Sequence, residues 1–250
     1  PERIYQENGG RLEAAYDALP ETYRGYQRSS SRQTLIRRGI MTVEGFYRKY
    51  TGILHIPADA KEWFQIPQGF LSVATNGAVF EDPYGEFTRR REYLLAYYPE
   101  DVIRKKLAAK TVAMAQAGQY NYVRCCRRGE WESAYLAGGE FVRAALSVIY
   151  LLNKKYMPFY KWAFRGMETL TELRNAAVDL KAFVRLEDSS KNAVQKRILI
   201  ESICNEIVCE LRKKGYSTSN GDFLEPHGNS IMSGIQDDWL RSLHVMADYG

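Results

Sequence analysis

Between Lys154 and Trp162 the chain reads KKYMPFYKW, and six of those nine residues (Lys154, Lys155, Tyr156, Tyr160, Lys161 and Trp162) combine positive charge with aromatic rings. Ammonium groups meet phosphate oxygens and ring faces stack on a base, so the cluster has the chemistry of a nucleotide site. A plainer use fits the same residues. Tyr156, Phe159 and Trp162 would pack on a helical bundle while the lysines lay their methylenes on it and kept their ammoniums in water. Composition alone leaves both readings open.

Carboxylates are the other chemistry to look for. Metal-dependent nucleotidyl transfer holds Mg²⁺ with two or three of them, usually alternating on one strand face, and no Asp-x-Asp occurs on a predicted strand. Single candidates for a catalytic role are Glu44, at the end of an early predicted strand, and Glu140, which could act as a general base in a cleft. Each has an ordinary alternative: Glu44 as an acid in a helix's first turn, and Glu140 as the i,i+3 ion-pair partner of Arg143. Asp82 opens Asp82-Pro83-Tyr84-Gly85, which is turn chemistry. No P-loop, G-x-G-x-x-G, H-E-x-x-H or G-x-S-x-G is present, and His55, His227 and His244 lack metal-ligand spacing, so the metal ligands are unknown. Gln119, Tyr120 and Asn121 form a second polar-aromatic junction, which reads more readily as a solvated interhelical loop.

The element that must position the basic cluster is the helix before it. From Gly139 onward, Phe141, Ala145, Val148, Ile149 and Leu152 recur at helical spacing and mark a core face. Glu140, Arg143, Ser147 and Lys154 form a second stripe, placed to line a cleft. Pro158 predicts the start of the next helix.

Composition sets the frame. At 250 residues, 45% hydrophobic and 26% charged, the chain can build one large domain or two smaller ones. A net charge of +5 suits an anionic ligand without arguing for nucleic acid. The apolar run Ala144 to Leu152 is about half of the roughly 20 residues a membrane span needs, no leader pattern opens the chain, and the four cysteines form no paired framework. The expectation is a cytoplasmic protein with no membrane partner. The chain starts at Pro1 and reads as a fragment that opens inside an element.

In order, the sequence predicts a helix at 11–19, a loop at Arg28–Gln33, a short strand at Leu35–Val43 running into a helix at 44–50, and helices after Asp59 and Pro67. A strand at Ala78–Phe80 and a helix to Tyr98 follow. From Pro99 on nearly everything is helical, including a long amphipathic helix closed by Gly215. The fold class is α+β and predominantly helical: a partial α/β part over 1–98 and a helical bundle over 99–250.

The runs TNGAVFEDPYGEFTRRREYLLAYYPEDVIRKKLA, MAQAGQYNYVRCCRRGE, EFVRAALSVIYLLNKKYMPFYKW and LHVMA resemble the bacterial family called domain of unknown function 4037. That resemblance implies a nucleotidyltransferase-like protein, similar to aminoglycoside nucleotidyltransferases. It would move a nucleoside monophosphate from a Mg²⁺-bound nucleoside triphosphate to a hydroxyl on a small-molecule or macromolecular acceptor. By the same analogy Lys161, Tyr156 and Lys154 would bind nucleotide and Glu140 would be the bundle's base. The glycine-serine and clustered-aspartate motif of such proteins would lie upstream of residue 1. The rival readings are a non-catalytic nucleotide- or partner-binding protein with a degenerate cleft, and a bundle that forms a homodimer.

Overall fold

The computed structural model describes residues 1–27 and 39–248. Helix α1 (Glu2–Asp17) buries none of its side chains, and the hairpin β1 (Thr22–Tyr23) and β2 (Tyr26–Gln27) pairs Thr22 with Gln27 and Tyr23 with Tyr26. Then follow α2 (Val43–Thr51), α3 (Ala60–Gln65), α4 (Gln68–Thr75), α5 (Glu86–Leu95), α6 (Glu100–Met114), a π-helical segment Ala115–Tyr122, α7 (Val123–Arg128) and α8 (Trp131–Leu152). Helix α9 (Tyr160–Gly166), a 3₁₀ turn at Met167–Thr169, α10 (Arg174–Arg185), α11 (Ala193–Lys213), α12 (Leu224–Ser233) and α13 (Asp238–Ser242) complete the chain.

The predominantly helical expectation holds, and the sheet of an α/β part does not appear among the described residues, where β1 and β2 are the only strands. The predicted loop at 28–33 and the first half of the 35–43 strand lie outside the described residues. The rest of that strand is irregular, and Val43 already belongs to α2. Ala78–Phe80 is irregular too. Phe80 is 99% exposed, because three apolar residues make a strand only where a neighbouring strand accepts their backbone hydrogen bonds and a core takes their side chains.

Local chemistry explains the helix ends. Asp59 accepts from Glu62 N at 2.8 Å to cap α3, and Thr42 accepts from Gly45 N to cap α2. Gly215, at φ 71°, closes α11 in a Schellman arrangement, with Tyr216 N donating to Leu211 O and Gly215 N to Arg212 O. Helix α12 lies so close to α6 that a Cβ on Gly228 would stand 2.4 Å from Val112 Cγ2. One buried cluster runs from Tyr47 to Leu240 and joins both sides of residue 98. Helix α8 is long and apolar enough to cross a membrane by length and composition, and 61% of its most apolar window is buried inside the fold.

Helix α6 also buries two adjacent lysines, Lys105 and Lys106, both 0% exposed. Lys105 Nζ donates to the carbonyls of His244, Val245 and Ala247 at 2.8 to 3.0 Å. Lys106 and Lys110 grip the two carboxylate oxygens of Asp248 at 2.9 and 2.8 Å. Burial pulls Lys105 from the usual 10.5 to about 8, against the opposing pull of Asp248. Above pH 8 the unfolded chain therefore binds more protons at this position than the folded one, and stability rises with pH. Burial raises Tyr97 and Tyr98 well above 10, which opposes the trend once free tyrosine ionises. Between pH 8 and 10, the melting temperature of the native chain should climb relative to that of Lys105→Met. Parallel melting curves across that interval would refute the assignment.

Candidate functional site

Helix α8 does not end on glycine. Lys155 N donates to Tyr150 O and Lys154 N to Leu151 O, the bonding that closes α11, but the left-handed position is held by Lys154 at φ 51°. A side chain there costs about 1 kcal/mol. Tyr97, also left-handed at φ 78°, donates its hydroxyl to Lys155 O at 3.2 Å. Two strained non-glycine residues therefore meet at one elbow.

Three further anchors hold it. Gln68, 1% exposed, donates to Ser147 Oγ at 2.9 Å and accepts from Met157 N at 3.2 Å, tying the elbow to α4 and α8. Asn153 accepts from Thr171 N and Glu172 N and donates to Ile149 O. Tyr150 donates to Ala163 O, which seats α9, and a Cβ on Gly166 would lie 2.3 Å from that tyrosine's oxygen.

The elbow forms one wall of a cleft of about 1150 Å³, closed on the other sides by α2, α4, α9 and the end of α5. Five cations line it: Lys49, Lys154, Lys155, Lys161 and Arg165. Among the described residues no Asp or Glu lines it. Eight of the lining residues are aromatic, and Tyr160 at 87% and Trp162 at 50% exposure present ring surface to solvent. Lys161 Nζ and the Arg165 guanidinium stand 5.9 and 5.8 Å from the Trp162 ring, and Phe159 meets Phe70 edge-on at 5.5 Å. Positive charge beside exposed rings suits an anionic aromatic ligand.

The residues expected from the sequence divide. Lys154 and Lys161 are exposed in the cleft. Tyr156 touches it, but is 8% exposed, donates its hydroxyl to Leu94 O at 2.5 Å and packs on Tyr97 and Tyr98. Burial raises its phenol pKa and keeps the hydroxyl protonated, and its one proton is committed to Leu94 O, so the residue shapes the wall and offers no donor to a ligand. Glu140 is exposed in the i,i+3 pair with Arg143, 2.6 Å apart, outside the cleft. Glu44 stands in the first turn of α2, likewise outside. Ser147 is buried against Gln68, so the polar stripe of α8 serves three different surroundings rather than one cleft wall. Among the described residues no three His, Cys, Asp or Glu side chains come together as metal ligands. A protein-held Mg²⁺ therefore does not fit this cleft.

Lys155 belongs to the cluster visible in the sequence, whereas Lys49 and Arg165 join the lining without a sequence signal. Lys49 comes from a distant helix, and nothing local marks it.

Residues 63–163 match the family described as Domain of unknown function (DUF4037). That match spans less than half of the chain. No curated protein and no solved structure matches the chain, so the nucleotidyltransferase fold expected from the resemblance gains no support from a relative. The DUF4037 match takes in the whole elbow, Gln68 and Tyr97, and stops inside α9. Lys49, Arg165 and the 3₁₀ turn complete the cleft from outside it.

A second groove, of about 840 Å³, opens beside the N-terminal half of α8, walled by Trp131, Tyr135, Leu136, Phe183 and Val184. At its edge Asp188 Oδ1 accepts from Lys196 Nζ at 2.6 Å and from the Tyr122 hydroxyl at 2.7 Å. The predicted junction Gln119–Asn121 is helical rather than a loop. It lies in the π-helical segment, and Gln119 bonds Glu201, Asp222 O and Leu224 N.

Proposed function

We propose that the DUF4037 domain and its flanking helices bind a nucleotide in the elbow cleft, phosphates toward Lys154, Lys155 and Lys161 and base against Trp162 or Tyr160. The observation that carries this reading is the lining itself, five cations and eight aromatic residues without one carboxylate. An acidic or neutral ligand without a ring would leave half of it unused. Strain at Lys154 supports the same reading, because glycine would close α8 at less cost and would remove a cleft cation. Nucleotidyl transfer needs metal-holding carboxylates, which the lining lacks. The function proposed is binding, with transfer to an acceptor outside it.

Thermal unfolding with millimolar ATP, CTP and GTP, each with EDTA or with Mg²⁺, tests the proposal. A ligand at one hundred times its dissociation constant stabilises by about 2.7 kcal/mol. At least one nucleotide should raise the melting temperature in EDTA, and the absence of a shift with all three would sink the reading. Lys161→Ala should weaken that binding about tenfold, the worth of one charged hydrogen bond. Lys154→Gly should weaken it while making the free protein about 0.5 to 1 kcal/mol more stable. That pairing of opposite signs is not what a purely structural lysine would produce.

A further inference from the structure

The strap His244–Asp248 covers Lys105, Lys106 and Lys110 in an unusual way. None of its five residues is fully buried, and none is helical or in a strand. Val245 packs on the core, and the rest of what holds the strap is polar: three strap carbonyls around Lys105 Nζ, and the Asp248 carboxylate between Lys106 and Lys110. The charge does not balance. Three ammoniums face a single carboxylate, whose side chain is 4% exposed. Beneath them lie Phe64, 4.9 Å from Lys106 Nζ, and Tyr98, 5.5 Å from it. The Tyr98 hydroxyl is buried and has no hydrogen-bond partner among the described residues, and the charge of Asp248 reaches it.

We infer that Lys105, Lys106, Lys110 and Tyr98 form an anion seat that the strap fills from within the chain, and that a phosphate compound carrying two or more charges competes with the strap for it. The strap supplies five acceptor oxygens and one negative charge. Pyrophosphate supplies seven oxygens and enough charge to meet all three lysines, and its oxygens can accept from the idle Tyr98 hydroxyl. A segment held by ammonium-carbonyl contacts, with Val245 as its one side chain packed on the hydrophobic core, is the kind of element that exchanges for a ligand. This seat is distinct from the elbow cleft.

The probe is inorganic pyrophosphate at fixed ionic strength, titrated calorimetrically into full-length Lys154→Ala/Lys161→Ala protein, so that the elbow cleft contributes little. Adding Asp248→Asn removes the internal competitor's charge and keeps its shape. Binding should tighten at least tenfold, and adding Lys106→Met should abolish the gain. A folded Asp248→Asn variant that binds pyrophosphate no tighter overturns the proposal. Should that variant fail to fold, amide hydrogen exchange of the unaltered protein decides. Exchange at 244–248 should quicken selectively in 10 mM pyrophosphate over chloride of equal ionic strength, and unchanged or uniformly quickened exchange counts against the seat.

Discussion

Lys196→Ala should destabilise the fold by about 3 to 5 kcal/mol, enough to bring a marginally stable domain close to unfolding. Lys196 is 2% exposed. Its ammonium donates to Asp188 Oδ1 at 2.6 Å and to Leu186 O at 3.2 Å, and stands 4.2 Å from the Phe183 ring. Alanine removes the ammonium and leaves behind an Asp188 carboxylate, 10% exposed, whose remaining partner is the Tyr122 hydroxyl. The cost arises mainly from that stranded charge. Removing the whole network should therefore recover most of it: Lys196→Met, Asp188→Leu and Tyr122→Phe together should return to within about 1 kcal/mol of the native protein. Urea unfolding with an unchanged slope reads both numbers. A single-variant loss below about 1 kcal/mol would mean that water reaches the pair.

This network shows where sequence reasoning stops. The helices were legible because their signals are local: Asp59 sits three residues before Glu62, whose amide it caps, Gly215 ends α11, and Ile200, Ile203, Ile207 and Leu211 repeat at helical spacing. The strand signal at Ala78–Phe80 misled because β-branched and aromatic content describes a side chain suited to a sheet. It does not reveal whether a second strand lies alongside. Lys105, Lys106, Lys196 and Gln68 were illegible for one shared reason. Each is a polar residue at a core position, and its partner stands 8 to 142 residues away. Hydrophobic periodicity reads such a residue as a flaw in the pattern. The cleft was half legible: the elbow's own lysines and rings are contiguous, whereas Lys49 arrives from α2 through the tertiary fold, and the left-handed turn at Lys154 contradicts the residue type that closes most such helices.

Gln68→Leu should cost the cleft more than it costs the fold. The leucine fills nearly the same volume, and Ser147 can turn its hydroxyl to the carbonyl four residues back in α8. What stays unpaired is Met157 N, worth about 1 to 3 kcal/mol of stability. Between Lys155, held by Tyr150 and Tyr97, and the first turn of α9, that amide makes the elbow's backbone hydrogen bond to α4, beside the edge contact of Phe159 on Phe70. Once it is loose, the exposed Tyr160 and Lys161 must be ordered by the ligand itself. At about 0.5 to 1.5 kcal/mol for each of the two side chains immobilised, binding should weaken by roughly five- to 150-fold. Ser147→Ala separates positioning from stability. It removes the other end of the same bridge, leaves the Gln68 to Met157 bond in place, and should lower stability by about 1 kcal/mol while changing nucleotide affinity less than about twofold. If the two variants weaken binding equally, Gln68 acts through general stability and the elbow is held by something else.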